Sequence, residues 1–587
     1  MDIRNKMKIF FPDIKKGIER FPVTILFGIM SFICAVIGNE ITYKGAEYMV
    51  IAKISILWAK LFAVGIPLSA TVELIREKYF SDKKKQIFRL VSFAITMAFL
   101  FGFKIWMDNA QGDSTINIVS MGVIFYASFL LFPIIDRKND KEKYLQTVVG
   151  NQLLTIAFAI VLYLGIAIIL TAIDLLMIEI NRELYIYTLY FSALIFGVIF
   201  FVSKLKGIDE SLEDYEIPKM AQILYSYIII PLIIIYTLVL YLYSAKILIL
   251  LKIPKGMVSN LVLWYTVFSI FVIIMVTPLT EENRIAEKFK KFFPVISLPL
   301  ICMAIFSISE RIFQYGVTEK RYIIVALSIW LLLNMIIYII RPDVRKVLIS
   351  LIIIIFITVF SPWNMTKVSL ASQTKRLIKL LTDNGLMKDG KLSKNDNVSG
   401  KAKKEIISLI NYFYYDDIGN KKIRIDGKEY ASATDFMKEI GANSDWNNYN
   451  SYSTIEITKK NILTEVKGYD YFISLSEYTS YEHEKIISGG EIDIQILKNG
   501  EMVITDNKKN EKLATIPIKS ELNKIIASLK NEIKDDNNIY KIEVPSEKLT
   551  FTGENEKIKY KVEFSSITLS NKDIITSYYI NMSFSEK

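Results

Sequence analysis

The sequence predicts a polytopic bundle of about eleven transmembrane helices followed by a soluble α+β domain, and three observations predict it. Of 587 residues, 52% are hydrophobic, too apolar for the several soluble domains that such a length otherwise implies. Long windows are almost free of charge. Residues 322–340 are interrupted only by Ser328 and Asn334 and meet the roughly 20 residues needed to cross a hydrocarbon core of about 30 Å. Beyond Trp363 such windows stop and a mixed helix and strand pattern begins.

The spans are expected near residues 21–38, 54–75, 90–107, 116–135, 148–173, 185–203, 221–251, 258–278, 292–309, 322–340 and 346–361. The first ends at Gly38-Asn39-Glu40 without a small-x-small cleavage pattern and reads as a span, not a signal peptide. The seventh, from Ile223, would be about 43 Å long if straight at roughly 1.5 Å per residue, so tilt or a break at Pro231 is expected.

Orientation follows from the basic residues of the short loops. With the N-terminus inside, the inner segments carry about 26 Lys and Arg, among them Lys83-Lys84-Lys85 and Arg284, Lys288, Lys290 and Lys291, while the outer loops carry about 8. An odd number of crossings then exports everything after the last helix. The expected organisation is a cytoplasmic amphipathic segment over 1–20, a transmembrane domain over 21–361 and an extracytoplasmic α+β domain over 362–587, in a plasma membrane. From residue 362 onward 34 Lys and Arg face 33 Asp and Glu, so nearly all of the net charge of +11 lies in the membrane half. The basicity therefore reflects topology and anionic lipid, not nucleic acid.

In the exported domain, residues 369–381 and 401–414 show helical spacing, with Asp389-Gly390 in the loop between them. From about Ser453 the period changes to two. Residues 491–497, Asn499-Gly500 and 502–505 form a hairpin pattern, a helix fits 520–533, and strands fit 539–544, 557–569 and 574–584. The domain is expected to be mostly antiparallel.

Few residues suggest chemistry. Cys34 and Cys302 both lie in apolar windows, which excludes a disulfide framework. The single histidine, His483, excludes a His-rich metal site and reads as a surface residue. Asp416-Asp417 and Asp535-Asp536 read as turns. No Walker loop, GxSxG, HExxH or calcium loop occurs, so no catalytic residue, metal or cofactor is expected. Lys60 and Glu73 in the second helix are candidates because a charge near the bilayer centre costs about 2.5 to 3.5 kcal/mol on insertion scales. Lys60 reads more readily as a snorkelling side chain than as part of a water-lined site. Asn334 reads as an interhelical packing contact, and Pro67, Pro231 and Pro299 as helix kinks or, in a transporter, breaks at a binding site.

Arg311-Ile312-Phe313-Gln314-Tyr315-Gly316-Val317-Thr318-Glu319-Lys320-Arg321-Tyr322 resembles the R-I-x-x-Y-G-x-T-E-x-R-Y signature of a family of bacterial membrane proteins, domain of unknown function 4153. Ser361-Pro362-Trp363, Val368-Ser369, Ser372-Gln373, Arg376-Leu377 and Asp389-Gly390-Lys391 are similar to the family's segment after the last helix, and Arg20-Phe21-Pro22 is similar to its opening. The resemblance implies a polytopic bacterial membrane protein and no assigned activity. Read from the residues, Glu310, Arg311, Tyr315, Gly316, Glu319, Arg321 and Tyr322 lie in an outer loop that ion-pairs at the interface and turns tightly at Gly316. That loop suits docking of the exported domain or binding of an anionic envelope component.

Three functions compete. The favoured one is a non-enzymatic envelope sensor or scaffold whose exported domain binds a ligand or an envelope protein. The others are a transporter, which predicts flux abolished by Lys60→Ala, and an enzyme on lipid-linked substrates, which predicts turnover lost in Glu319→Gln without loss of folding. An absence of internal repeats argues against the transporter.

Overall fold

In lipid a backbone has no partner but itself, so a charge-free run of twenty residues becomes helix. The computed structural model describes the chain except residues 1–11, 13, 43–47, 81–84, 110–112, 179, 213–215, 251–256, 396, 415–420, 443–453, 460–465, 479–484, 489, 498, 530–540 and 571–573. The chain forms two compact units, Met1–Arg376 with Asp417–Lys421, and Leu377–Asp416 with Lys422–Lys587.

After a helical stretch over residues 14–20, the first unit is built from α1 (Pro22–Thr42), α2 (Met49–Tyr79), α3 (Lys85–Asn109), α4 (Ser114–Leu131), α5 (Lys141–Leu176), α6 (Glu183–Ser203), α7 (Lys219–Ile247), α8 (Met257–Val276), α9 (Arg284–Tyr315), α10 (Glu319–Ile340), α11 (Val344–Phe360) and α12 (Met365–Asp383), whose last turns belong to the second unit. Ten of these, α1 to α10, are long and apolar enough to cross a membrane, and the count rises to eleven if α11 and α12, which pass that test only together and bend by 47° between them, form one span. The chain is a multi-pass membrane protein whose outward apolar faces meet the bilayer. One core gathers Ile230, Leu263, Ile273, Leu300 and Leu331; another gathers Phe21, Leu74, Ile134, Tyr144 and Val202.

The helices outrun their hydrophobic windows. α5 starts at Lys141 and α9 at Arg284, where the Asn283 side chain accepts from the backbone N–H of Ile285 and Ala286. A cap and charged first turns extend a helix beyond what hydropathy detects. At Pro231 the chain does not break. A π-helical turn, Leu224–Ile229, precedes it and α7 continues through the proline, since a widened turn relieves the clash between the ring and the preceding carbonyls.

The second unit is α+β. Two short hairpins come first in sequence, β1 (Met387–Lys388) with β2 (Lys391–Leu392) and β3 (Arg424–Ile425) with β4 (Lys428–Glu429). A six-stranded sheet has the order β11-β5-β13-β14-β6 with β12 on β13, using β5 (Thr454–Lys459), β6 (Tyr471–Tyr478), β11 (Lys541–Val544), β12 (Thr550–Glu554), β13 (Ile558–Ser570) and β14 (Ile574–Glu586); only β11 and β5 pair parallel. A four-stranded sheet has the order β10-β9-β8-β7, from β7 (Lys485–Ser488), β8 (Ile492–Ile496), β9 (Met502–Asp506) and β10 (Glu511–Ile516). The predicted hairpin is β8–β9. Ile492, Ile494 and Ile496 alternate inward, and Gly500 takes φ +81° in the turn. α13 (Gly400–Tyr414), α14 (Ala433–Glu439) and α15 (Ile518–Ser528) complete the helices among the described residues, and Phe564, Met582, Ile504 and, from α15, Leu522 share one core. The helix expected over 520–533 runs over Ile518–Ser528 with Leu529 as its C-cap, and residues 530–533, His483, Asp416-Asp417 and Asp535-Asp536 lie outside the described residues.

Candidate functional site: a clamped turn between α9 and α10

α9 ends where the sequence provides a glycine. Gly316 has φ +71° and ψ 178°, a conformation in essence restricted to glycine. The turn that follows is short, so Glu310 and Arg311, expected in a loop, are on the last turns of α9, and only Gly316, Val317 and Thr318 separate it from α10. Three carbonyls and one N–H would be left over by this reversal, and side chains of α10 and α12 satisfy them. Gln373 Nε2 donates to the carbonyls of Tyr315 (3.0 Å) and Val317 (2.8 Å), and Ser372 Oγ accepts from the Val317 N–H (2.9 Å). Arg321 Nη1 donates to the carbonyl of Gly316 (2.6 Å) and, more weakly, to that of Tyr315. The guanidinium carbons of Arg321 and Arg376 each lie 5.6 Å from the centroid of the Tyr315 ring, within range of a cation–π contact. Tyr322 closes the bend between α11 and α12 by donating to the Trp363 carbonyl (2.7 Å). Residues up to 58 positions apart in the two stretches that carry the family resemblance, Tyr315 and Val317 in one and Ser372 and Gln373 in the other, are therefore brought together at one turn.

The acidic members of the motif do not converge. Glu310 accepts from Gln314 one helical turn on (3.2 Å), whereas Glu319 is buried with Lys421, Nζ to Oε1 3.2 Å, both side chains 1% exposed. Nothing in the sequence marks Lys421 out among many lysines. Arg311 lies within electrostatic reach of Arg321, as does Arg376, and the Arg311 Nε is buried without a hydrogen bond among the described residues. The cluster is cationic, and much of its hydrogen-bonding capacity is committed to backbone carbonyls.

The opposite ends of the helices are tied in the same manner. In Arg20-Phe21-Pro22, Arg20 pairs with Glu77 (2.8 Å) and donates to the carbonyls of Leu205 (2.6 Å) and Lys206 (3.0 Å); Phe21 is fully buried; Pro22 opens α1, where its missing N–H costs nothing. Glu73, 2% exposed, accepts from the Val23 N–H (3.1 Å) and Thr24 Oγ1 (2.8 Å) and so caps α1 from α2. Arg137 pairs with Asp140 and reaches the Ile208 carbonyl. Asp343 caps α11 at the Arg345 N–H (3.0 Å) and pairs with Arg345 (2.7 Å) and Lys141 (3.3 Å). Partial burial opposes ionisation of Asp343, but these donors and cations prevail and hold its carboxyl at about 2.

The intramembrane candidates separate. Asn334, fully buried, donates to the Trp330 carbonyl (2.7 Å) and to Ser350 Oγ of α11 (3.1 Å), and Trp330 Nε1 donates to the same hydroxyl (3.0 Å); this is interhelical packing. Lys60 is exposed on α2. Pro67 and Pro299 sit inside unbroken α2 and α9, and no group of three or more metal-ligating side chains occurs among the described residues.

Residues 20–389 match the model of a family described as "Domain of unknown function (DUF4153)". The chain is similar to an uncharacterized protein of Pasteurella multocida (strain Pm70), 28% identical over 241 residues, which is 40% of this chain and 39% of that relative's length. No solved structure matches it.

Proposed function

Because this chain belongs to that family of unknown function, we propose that it is a bacterial cell-envelope sensor or scaffold without enzymatic activity, whose C-terminal unit is exported and binds an envelope partner. In this reading the N-terminus is cytoplasmic, which the excess of Lys and Arg in the alternate loops favours, and the turn at Gly316 faces outward. The carrying observation is the clamp itself. Ser372, Gln373 and Arg376 of α12 fasten the α9–α10 turn, and α12 is the helix along which the chain passes from the first unit to the second. A motif with its polar groups spent on holding a helix suits transmission or anchoring. An enzyme would need a base and an acid within reach of one substrate, but Glu319 is committed to Lys421 and Glu310 to Gln314. On the second unit, the outer face of β6 and β14 displays Phe472 (52% exposed) and Tyr579 (43% exposed), side chains of the kind that anchor partners.

The test is thiol accessibility in intact cells, with single cysteines at Ser488 and Ser81 in a Cys34→Ala, Cys302→Ala background. Labelling by a membrane-impermeant reagent at Ser488 but not Ser81 supports the exported unit. The reverse pattern turns the protein over and ends the envelope reading.

A further inference from the structure

A cavity of about 470 Å³ lies in the first unit among α1, α2, α4, α5 and α6. Its walls are mostly apolar, with Ile66, Pro67, Ala159 and Val198 among them, and no Lys, Arg, His, Asp or Glu of the described residues lines it.

Polar groups gather at one end. Asn151 Nδ2 of α5 donates to the Lys204 carbonyl just past α6 (2.9 Å), which places the neighbouring Gln152 towards the Val202 end of α6. The Tyr126 ring of α4 lies 6.2 Å from that of Phe129, and Phe129 lies 6.0 Å from Phe201, so Tyr126 reaches the same end. Gln152 and Tyr126 both line the cavity, and neither side chain has a hydrogen bond among the described residues. Thr24, also in the wall, is already spent on Glu73 (2.8 Å). An amide and a phenol left unpaired away from water cost stability, and a ligand oxygen between them would relieve it.

From that end the cavity follows α5 from Gln152 to Tyr163, about 16 Å at roughly 1.5 Å per residue. Ile156 and Ile160 line this stretch and are also exposed on the outside of the bundle, so the cavity communicates with the bilayer past α5. The facing wall is not packed as an ordinary helix. α6 carries a π-helical turn there, Phe191–Phe196, of a kind that recurs at functional sites. On it the hydroxyl of Ser192, 1% exposed, has no hydrogen bond among the described residues, whereas Thr155 of α5 bonds the carbonyl one turn back (2.7 Å), as hydroxyls in helices commonly do.

We propose that this cavity binds one uncharged lipid bearing a carbonyl group: the carbonyl oxygen accepts from Tyr126 Oη and Gln152 Nε2, and the hydrocarbon chain lies along α5 towards Tyr163, entering from the bilayer past Ile156 and Ile160. Bilayer hydrocarbon is as apolar as the cavity wall, so selectivity comes from the two hydrogen bonds, made where no water competes. A phosphate or ammonium would lie among these walls without a counterion and is rejected. The ester of a diacylglycerol and the ring of an isoprenoid quinone share the required chemistry. The site rests neither on which way the protein faces the membrane nor on a sensing role.

The test uses the full-length protein, delipidated in mild detergent and titrated with dioleoylglycerol, a short-tailed menaquinone, or phosphatidylglycerol with the same oleoyl chains, with binding read by native mass spectrometry. One of the uncharged lipids should bind at least about tenfold more tightly than phosphatidylglycerol, whose phosphate finds no cation in the cavity. Tyr126→Phe and Gln152→Leu, which keep the size of the side chain, should each weaken that lipid about fivefold, the effect of one hydrogen bond, and Ala159→Phe should abolish binding by filling the cavity. Should Ala159→Phe misfold, the two conservative variants still decide. Dioleoylglycerol binding that falls in these variants supports the proposal with an acyl ester as the ligand, and menaquinone binding that falls in them supports it with a quinone. Failure of both to bind, binding unchanged when Tyr126→Phe and Gln152→Leu are combined, or phosphatidylglycerol binding as tightly as the uncharged lipid overturns it.

Discussion

Lys421 and Glu319 form an ion pair from which water is excluded, Nζ to Oε1 3.2 Å with both side chains 1% exposed. Removing one partner of a buried pair strands the other charge, at a cost of about 3 to 5 kcal/mol, whereas replacing both by apolar residues of similar size is often neutral. Glu319→Ala and Lys421→Ala should each lower the thermal unfolding midpoint of the detergent-solubilised protein sharply, and Glu319→Leu with Lys421→Met should recover most of the loss. Additive losses in the double variant would mean that the two residues act independently.

Gly316 makes a second prediction that depends on backbone alone. Its φ of +71° with ψ 178° costs other residues about 1 to 3 kcal/mol, and a Cβ would come 3.0 Å from Gln373 Nε2 and 3.1 Å from Ser372 Oγ. Gly316→Ala should therefore destabilise by that amount, and Gln373→Ala, which leaves the Tyr315 and Val317 carbonyls short of a donor, by about 1 to 3 kcal/mol. Protease cleavage near residue 316 in the folded protein should rise in both.

How much of this is legible in the sequence depends on distance along the chain. Spans are legible because each is a local property of about twenty residues, and the β8–β9 hairpin because Asn499-Gly500 sits between alternating strands. The ends of α5 and α9 are not, since caps and charged turns carry no hydropathy signal. The clamp is half legible. Tyr315, Gly316, Ser372, Gln373 and Arg376 all stand out, but α10 and α11 lie between the two groups in the chain, and no pattern within a window reports that they meet. Lys421 has no signal at all, as its role depends on being buried opposite Glu319.

Glu73 illustrates the same limit within the membrane half and gives a third prediction. A carboxylate in an apolar helix draws attention as a functional group, yet here it caps α1 through Val23 and Thr24. Loss of a cap costs about 0.5 to 2 kcal/mol, and the bared donors are buried. Glu73→Ala should reduce stability by about 2 kcal/mol and Glu73→Gln, which keeps an acceptor oxygen, by clearly less. An equal loss in both, read by thermal unfolding, would show that charge and not capping is what matters.

Asp343 sets a pH dependence. Its carboxyl is held at about 2 in the folded protein, below an ordinary aspartate at about 3.9. A depressed carboxylate contributes stability that is complete above its unfolded value and is lost as pH falls through the folded one. The stability difference between the wild type and Asp343→Asn, which retains a capping side chain, should hold from pH 7 to about 5 and shrink between roughly pH 4 and 2. A difference that is constant through that window would remove Asp343 from the acid response.

Lys60 decides between two readings of the bundle. A lysine lining a substrate path would face inward and its removal would abolish flux. On α2 it is exposed instead, on a helix whose bundle side is marked by buried Ala59, Leu61 and Phe62. An exposed lysine there must carry its ammonium along the helix to the interface, so its charge is a burden on insertion, worth up to about 2.5 to 3.5 kcal/mol at the helix centre and less towards an end. Lys60→Leu should therefore leave folding intact and hold or raise the yield of inserted protein, measured as the membrane-extracted fraction against wild type. A fall in yield or a collapse of the unfolding midpoint would show that the ammonium makes a contact inside the bundle, and would bring back the water-lined path that a transporter needs.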